Sequence, residues 1–259
     1  MDFRIIIYII FGIAPSLIWL AYYLTKDLHP EPKRMILKIF LLGAVITIPV
    51  FFVQIGLKEL LGIVASKFGV IGNIDKISSL PLNHLDSKSL TVVVIYWFLV
   101  ISLSEEFFKY LVIRTKVIGS HHLDEPLDIM LYMVVAALGF AAVENVLYLI
   151  PTMNIMPFSR TLTLDLLRSV SAVFLHTLCS AVVGYSLAVS FCEAKRKYII
   201  TAGGILLAML LHGLFDFSIM TLTGQLSVLI PMGIILVLAF LVFWGFERLK
   251  KMKSTCKIN

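Results

Sequence analysis

The chain has 259 residues, of which 59% are hydrophobic and 15% charged, and its mean hydropathy is +0.97. Soluble domains carry about 25% charged residues, so this composition excludes one. Continuous apolar runs, in place of alternating segments of about ten residues, exclude a β-barrel. The formal net charge of +6 comes from basic residues beside apolar segments. That pattern belongs to the cytoplasmic loops of a membrane protein and does not call for nucleic acid. What remains is an all-α, polytopic transmembrane helix bundle of about seven spans in the lipid bilayer, one integral-membrane domain over residues 1–259.

The first span is Phe3 to Leu24; one basic residue, Arg4, and no small-x-small cleavage site predict a retained helix and not a removed signal. A polar turn with two prolines, Lys26 to Arg34, leads to the second span, Met35 to Leu57. In segment 58–89, Leu57, Leu60, Leu61, Val64 and Phe68 recur at helical spacing opposite Lys58, Glu59 and Lys67. This predicts a short interfacial amphipathic helix between spans two and three. The third span is Leu90 to Ile113 and the fourth, after the loop Arg114–Pro126, is Leu127 to Ile150. The fifth runs from about Leu166 to Ser190, the sixth from Tyr198 to Leu222, the seventh from about Leu226 to Phe246. Three distant cysteines, Cys179, Cys192 and Cys256, predict neither a disulfide nor a cysteine metal cluster. Seven spans put the chain ends on opposite sides, and the positive-inside rule places the C-terminus in the cytoplasm and the N-terminus outside.

Into these apolar spans the sequence sets groups that cost about 2.5–3.5 kcal/mol each at mid-bilayer. Glu105, Glu106 and Lys109 lie in the third span, where Lys109 is one helical turn from either acid. Glu144 and Asn145 lie in the fourth, with Phe140, Glu144 and Tyr148 on one face. His176 lies in the fifth span; His212 and Asp216, an i,i+4 pair in which the carboxylate can orient the imidazole, lie in the sixth. Taken singly, a Glu–Lys pair is a helix staple, an intramembrane histidine is a packing residue and an asparagine is interhelical glue. Seven ionisable groups on four spans of a charge-poor chain are poorly explained as staples and predict one shared polar site. At about 1.5 Å per residue Glu144, His176 and His212 lie roughly 9–15 Å below the outer ends of their spans, whereas the acid pair lies about 20 Å below. Bringing them level requires tilt or a later start to the third span.

The residue types narrow the chemistry. There is no HExxH, no serine-protease GxSG and no Gly-x-Gly-Asp. A glutamate acting as base on water, with a histidine and Asn145 at the oxyanion, stays open. So does a zinc variant with His176, His212 and Glu144 as ligands. A proton- or ion-coupled transporter would also use buried acids and histidines, but the inverted repeats common in transporters are missing.

Glu105-Glu106-x-x-Lys109, Phe140-x-x-x-Glu144-Asn145, His176 and His212-x-x-x-Asp216, in that order, resemble the PrsW family of intramembrane proteases within the CAAX-protease-like, glutamate-dependent group. Glu31-Pro32 and Asp128-x-x-x-Tyr132 match as well. The resemblance implies a protease of the bacterial cytoplasmic membrane that makes the first cut in a single-span anti-sigma factor under envelope stress. It further implies that Glu105, Glu106, Glu144, His176 and His212 are catalytic, with Lys109, Asn145, Asp216, Phe140 and Asp128 in support. No cofactor is expected on the glutamate route, and zinc is the alternative.

Overall fold

The computed structural model describes residues 3–25, 31–121, 123, 125–152 and 155–252, and among them there are helices and turns but no strand. Seven helical segments are long and apolar enough to cross a membrane. Helix α1 is Phe3–Leu24, α2 is Lys33–Lys67 and α3 is the short Ile74–Ile77. The third span is built from α4 (Ser87–Ile95), a π-helical stretch Tyr96–Leu103 and α5 (Ser104–Lys116). The remainder are α6 (Pro126–Thr152), α7 (Phe158–Val170), α8 (Ala172–Cys192), α9 (Lys197–Thr221) and α10 (Leu226–Met252).

Three features depart from the sequence reading. The stretch from Leu57 to Lys67 is not a separate interfacial helix but the continuation of α2. No Pro or Gly-rich turn interrupts it, so the backbone ladder carries on past the apolar run, and segment 58–89 otherwise holds only α3 and a short 3₁₀ turn, Leu82–His84. The fifth span begins at Phe158, and its helix is interrupted at Ser171, whose Oγ bonds the Leu167 carbonyl at 2.7 Å. Finally, Cys192 is disulfide-bonded, contrary to expectation, while Cys179 is free and buried; Cys256 lies outside the described residues. Spacing along the chain detects only neighbouring pairs, not cysteines that folding brings together.

Helix α6 is the axis of the bundle. Every residue from Pro126 to Ala142 is buried, the pattern of a helix enclosed all round. Its apolar residues join those of α8 in the main core, with α1, α2, α9 and α10 packed outside. Ile18 on α1, Phe52 on α2 and Phe240 on α10 are more than half exposed and face outward. In water such a surface is an aggregation hazard, whereas in lipid it is the expected exterior.

The approach of α2 to α6 depends on two glycines. A Cβ on Gly139 would meet the Phe40 carbonyl oxygen, and one on Gly43 would meet that of Ala136, each well inside contact distance. Small residues let membrane helices come this close where no hydrophobic force drives them together. Gly139→Ala is therefore expected to lower stability by about 1–3 kcal/mol through overpacking. Unfolding in detergent measures it; a midpoint equal to that of the wild type would show that α2 can move aside freely.

Candidate active site

The third span carries its acids directly after the π-helical stretch. An i→i+5 winding puts more residues into each turn, so these eight residues rise less than an α-helix would. This shortens the path from the outer end by a small amount. The span starts three residues earlier than read, at Ser87, so a late start does not account for the meeting of the acids with their partners.

Glu105, Glu106, Lys109, His176 and His212 converge, all of them buried. The Lys109 side chain is 0% exposed, donates to Glu106 Oε1 at 2.8 Å and lies 3.7 Å from Glu105 Oε2. Its ammonium also lies 3.0 Å from His176 Nδ1. An ammonium can only donate, so Nδ1 is the acceptor and the imidazole proton sits on Nε2. His176 Nε2 in turn contacts Glu144 Oε2 at 2.5 Å. His212 Nδ1 lies 3.1 Å from Glu106 Oε1, and its Nε2 lies 3.3 Å from Asp216 Oδ2. Ser180 donates to the second oxygen of Glu106 at 2.9 Å. His176 thus has a carboxylate behind Nε2 and His212 has one at each ring nitrogen, contacts of the kind that fix tautomer and direction in metal sites and catalytic bases.

One oxygen stands apart. Glu105 Oε1 accepts from Gln54 Nε2 at 3.1 Å, but Oε2 is buried with no hydrogen-bond partner. It faces His176 Nδ1 at 3.7 Å and His212 Nε2 at 3.9 Å. Ligand atoms of Glu105, His176 and His212 lie within 4.8 Å of one another. A carboxylate and two imidazoles form a zinc-type donor set, so the residues fit a divalent cation. Binding through His176 Nδ1 requires that nitrogen to give up its Lys109 contact. This set differs from the one drawn from sequence. Glu144 serves His176 from the far side of the ring, and Glu105 takes the place assigned to it. The charge balance agrees: among the described residues, Glu105, Glu106, Glu144 and Asp216 meet two permanent cations, Lys109 and Arg168. Two carboxylate charges are left for imidazolium or a metal to offset.

The other sequence candidates divide. Phe140 belongs to the site, with Lys109 4.5 Å from its ring centroid and His176 5.6 Å from it. Asn145 lies beside Glu144 and accepts from Arg168 Nε at 2.9 Å. Asp128 lies elsewhere: it accepts from the Glu125 backbone N–H at 2.7 Å at the start of α6, sixteen residues from Glu144, about 24 Å along the helix. Glu31 and Tyr132 meet each other at that same end at 2.5 Å, tying α2 to α6 far from the chemistry. Sequence reasoning passed over Arg168 and Gln54. An arginine near a span end reads as an interfacial anchor, and a lone glutamine in an apolar run carries no spacing signal. Their partners exist only in the fold.

Comparison with known proteins shows the family. A family model described as PrsW family intramembrane metalloprotease matches residues 31–245. Protease PrsW of Oceanobacillus iheyensis is 30% identical over 250 residues, covering 96% of this chain and 97% of that protein. The Bacillus subtilis protein of the same name is 28% identical over 247 residues, with 94% of each chain covered. That of Geobacillus kaustophilus is 30% identical over 211 residues, covering 81% and 78%. No solved structure matches the chain. A carboxylate–histidine centre buried among seven membrane-crossing helices, in a chain aligned almost end to end with these proteases, leaves the transporter reading without support: the chain belongs to the PrsW family and is an intramembrane protease.

Proposed function

We propose that the protein cuts a peptide bond in a single-span membrane protein, an anti-sigma factor in the bacterial cytoplasmic membrane, with water activated at Glu105, His176 and His212. The observation that carries this reading is the buried Glu105 Oε2, which makes no hydrogen bond and lies between two imidazoles and the Lys109 ammonium. The anti-sigma substrate rests on family resemblance. The orientation, with the C-terminus in the cytoplasm, rests on the basic residues Lys33, Arg34, Arg114, Lys116, Lys195, Arg196 and Lys197 at one set of helix ends.

Glu105 Oε2, His176 Nδ1 and His212 Nε2 would hold a zinc ion. When bound, such an ion polarises a carbonyl and makes water acidic enough to attack near neutral pH. Glu144 holds the Nε2 proton of His176 and Glu106 holds the Nδ1 proton of His212; to hold an ion, His176 Nδ1 would leave Lys109 and His212 Nε2 would leave Asp216, which lies 3.3 Å away. Glu106, closed in by Lys109, Ser180 and His212, is a support and not a proton acceptor for water. Glu144 and Asp216, 33% and 23% exposed at the side chain, are more open than Glu105 and Glu106 and would carry a proton away from the site.

A metal-free route is favoured by a different contact, that of Lys109 with His176 Nδ1. There the ammonium supplies the positive charge, and Glu105 Oε2 takes the proton of the attacking water. Purified protein reconstituted with a single-span anti-sigma substrate, treated with phenanthroline, separates the two. Loss of cleavage restored by zinc supports the metal centre. Unchanged cleavage that still depends on Glu105 moves the proton to its Oε2. Cleavage insensitive to both chelator and Glu105→Gln would remove the site from the chemistry.

A further inference from the structure

Helix α7 faces the site with its polar side. Thr161 and Asp165 are buried, while Leu166, Leu167 and Val170 are about two-thirds exposed. This is the inverse of a soluble amphipathic helix, and in lipid it turns a polar wall toward the protein interior. Arg168 stands on that wall. Its Nη2 donates to Glu144 Oε1 at 3.0 Å, its Nε donates to Asn145 Oδ1 at 2.9 Å, and its guanidinium lies 4.1 Å from the Tyr148 ring centroid.

We propose that Arg168 is a positioning residue of the hydrolytic site, through which docked α7 completes the catalytic geometry; this rests on the function proposed above. Glu144 divides its two oxygens between Arg168 and His176, so the guanidinium sets the carboxylate that sets the imidazole. The same fork commits Asn145 Oδ1, and thereby orients an amide whose Nδ2 is buried and has no hydrogen-bond partner. An amide donor held in one orientation and left unpaired suits a substrate carbonyl or a developing oxyanion. Lysine cannot replace this arrangement: one ammonium on a flexible stem offers no planar fork for two adjacent acceptors while stacking on tyrosine. Ser171 separates this helix from α8, which carries His176, and Arg168 is the contact by which α7 reaches the site.

The test uses full-length protein in proteoliposomes with a single-span substrate that the wild type cleaves. Arg168→Met is expected to lower kcat by about 10–100-fold, the usual effect of losing a residue that orients a site's histidine. KM should stay within about twofold, as for interactions made only on the way to the transition state. Arg168→Lys, with the charge restored and the fork lost, should recover little of kcat. In a Glu144→Gln background the further loss from Arg168→Met should be smaller than in the wild type, because the Glu144 contact is already weakened and the Asn145 contact remains to be lost. Thermal unfolding of each variant near the wild-type midpoint shows that the bundle is intact. Wild-type kcat in Arg168→Met, full recovery in Arg168→Lys, or losses that multiply in the double variant would each overturn the proposal. Wild-type cleavage by Glu105→Gln would instead sink the hydrolytic reading itself, which separates the two failures.

Discussion

Glu105→Gln is expected to reduce peptide-bond cleavage by about 10²–10⁴-fold, the range for a group that moves a proton in the transition state. It should leave the helix bundle folded. The substitution keeps side-chain length and the Oε1 position that accepts from Gln54. It removes the charge of an oxygen that makes no hydrogen bond, in a cluster that already has more carboxylates than permanent cations. Stability should therefore hold or rise, as it does where function keeps an unfavourable group in place. Cleavage kinetics and thermal unfolding on the same preparation decide the matter. Activity within twofold of wild type, or loss of activity only through loss of the fold, would contradict the role given to Oε2.

Lys109→Met, measured on chelator-treated protein, should have the opposite signature. Lys109 is the central cation of the cluster: it bonds Glu106, approaches Glu105 and His176, and lies over Phe140. Removing one partner of a buried ion pair leaves an uncompensated charge and costs about 3–5 kcal/mol. Methionine keeps most of the volume, so packing contributes little to the loss. The companion Lys109→Met/Glu106→Gln removes the orphaned charge and should recover a large part of the stability. Equilibrium unfolding in mixed micelles measures both. A single variant as stable as the wild type would mean that the cluster's charge is balanced without Lys109.

The two expectations separate what the buried groups do. On the proposed function Glu105 would be kept for chemistry at no gain in stability, whereas Glu106 and Lys109 would hold the cluster together. Adjacent residues on one helix take these different roles because their side chains leave the backbone about 100° apart. Glu106 is enclosed by Ser180, His212 and Lys109, whereas Glu105 turns one oxygen to Gln54 and the other toward open chemistry between the rings.

Bilayer energetics made much of this protein readable from its residues. Apolar runs of sufficient length specify spanning helices because lipid offers the backbone no other hydrogen-bond partner. Ionisable groups inside those runs reveal the polar site because their insertion cost has no packing explanation. The number of spans and the residues Glu105, Glu106, Lys109, Glu144, His176 and His212 follow from that logic, with no knowledge of neighbours in space. The π winding before Glu105, the helix break at Ser171 and the continuation of α2 to Lys67 are properties of the packed backbone. Which carboxylate joins the histidines was likewise decided in three dimensions. Glu144 and Glu105 are both intramembrane acids, yet one lies behind the His176 ring and the other in front of it. Arg168 and Gln54 acquired their meaning only when α7 and α2 packed beside the acids, because a hydrogen-bond partner 24 or 51 residues away leaves no periodic trace along the chain.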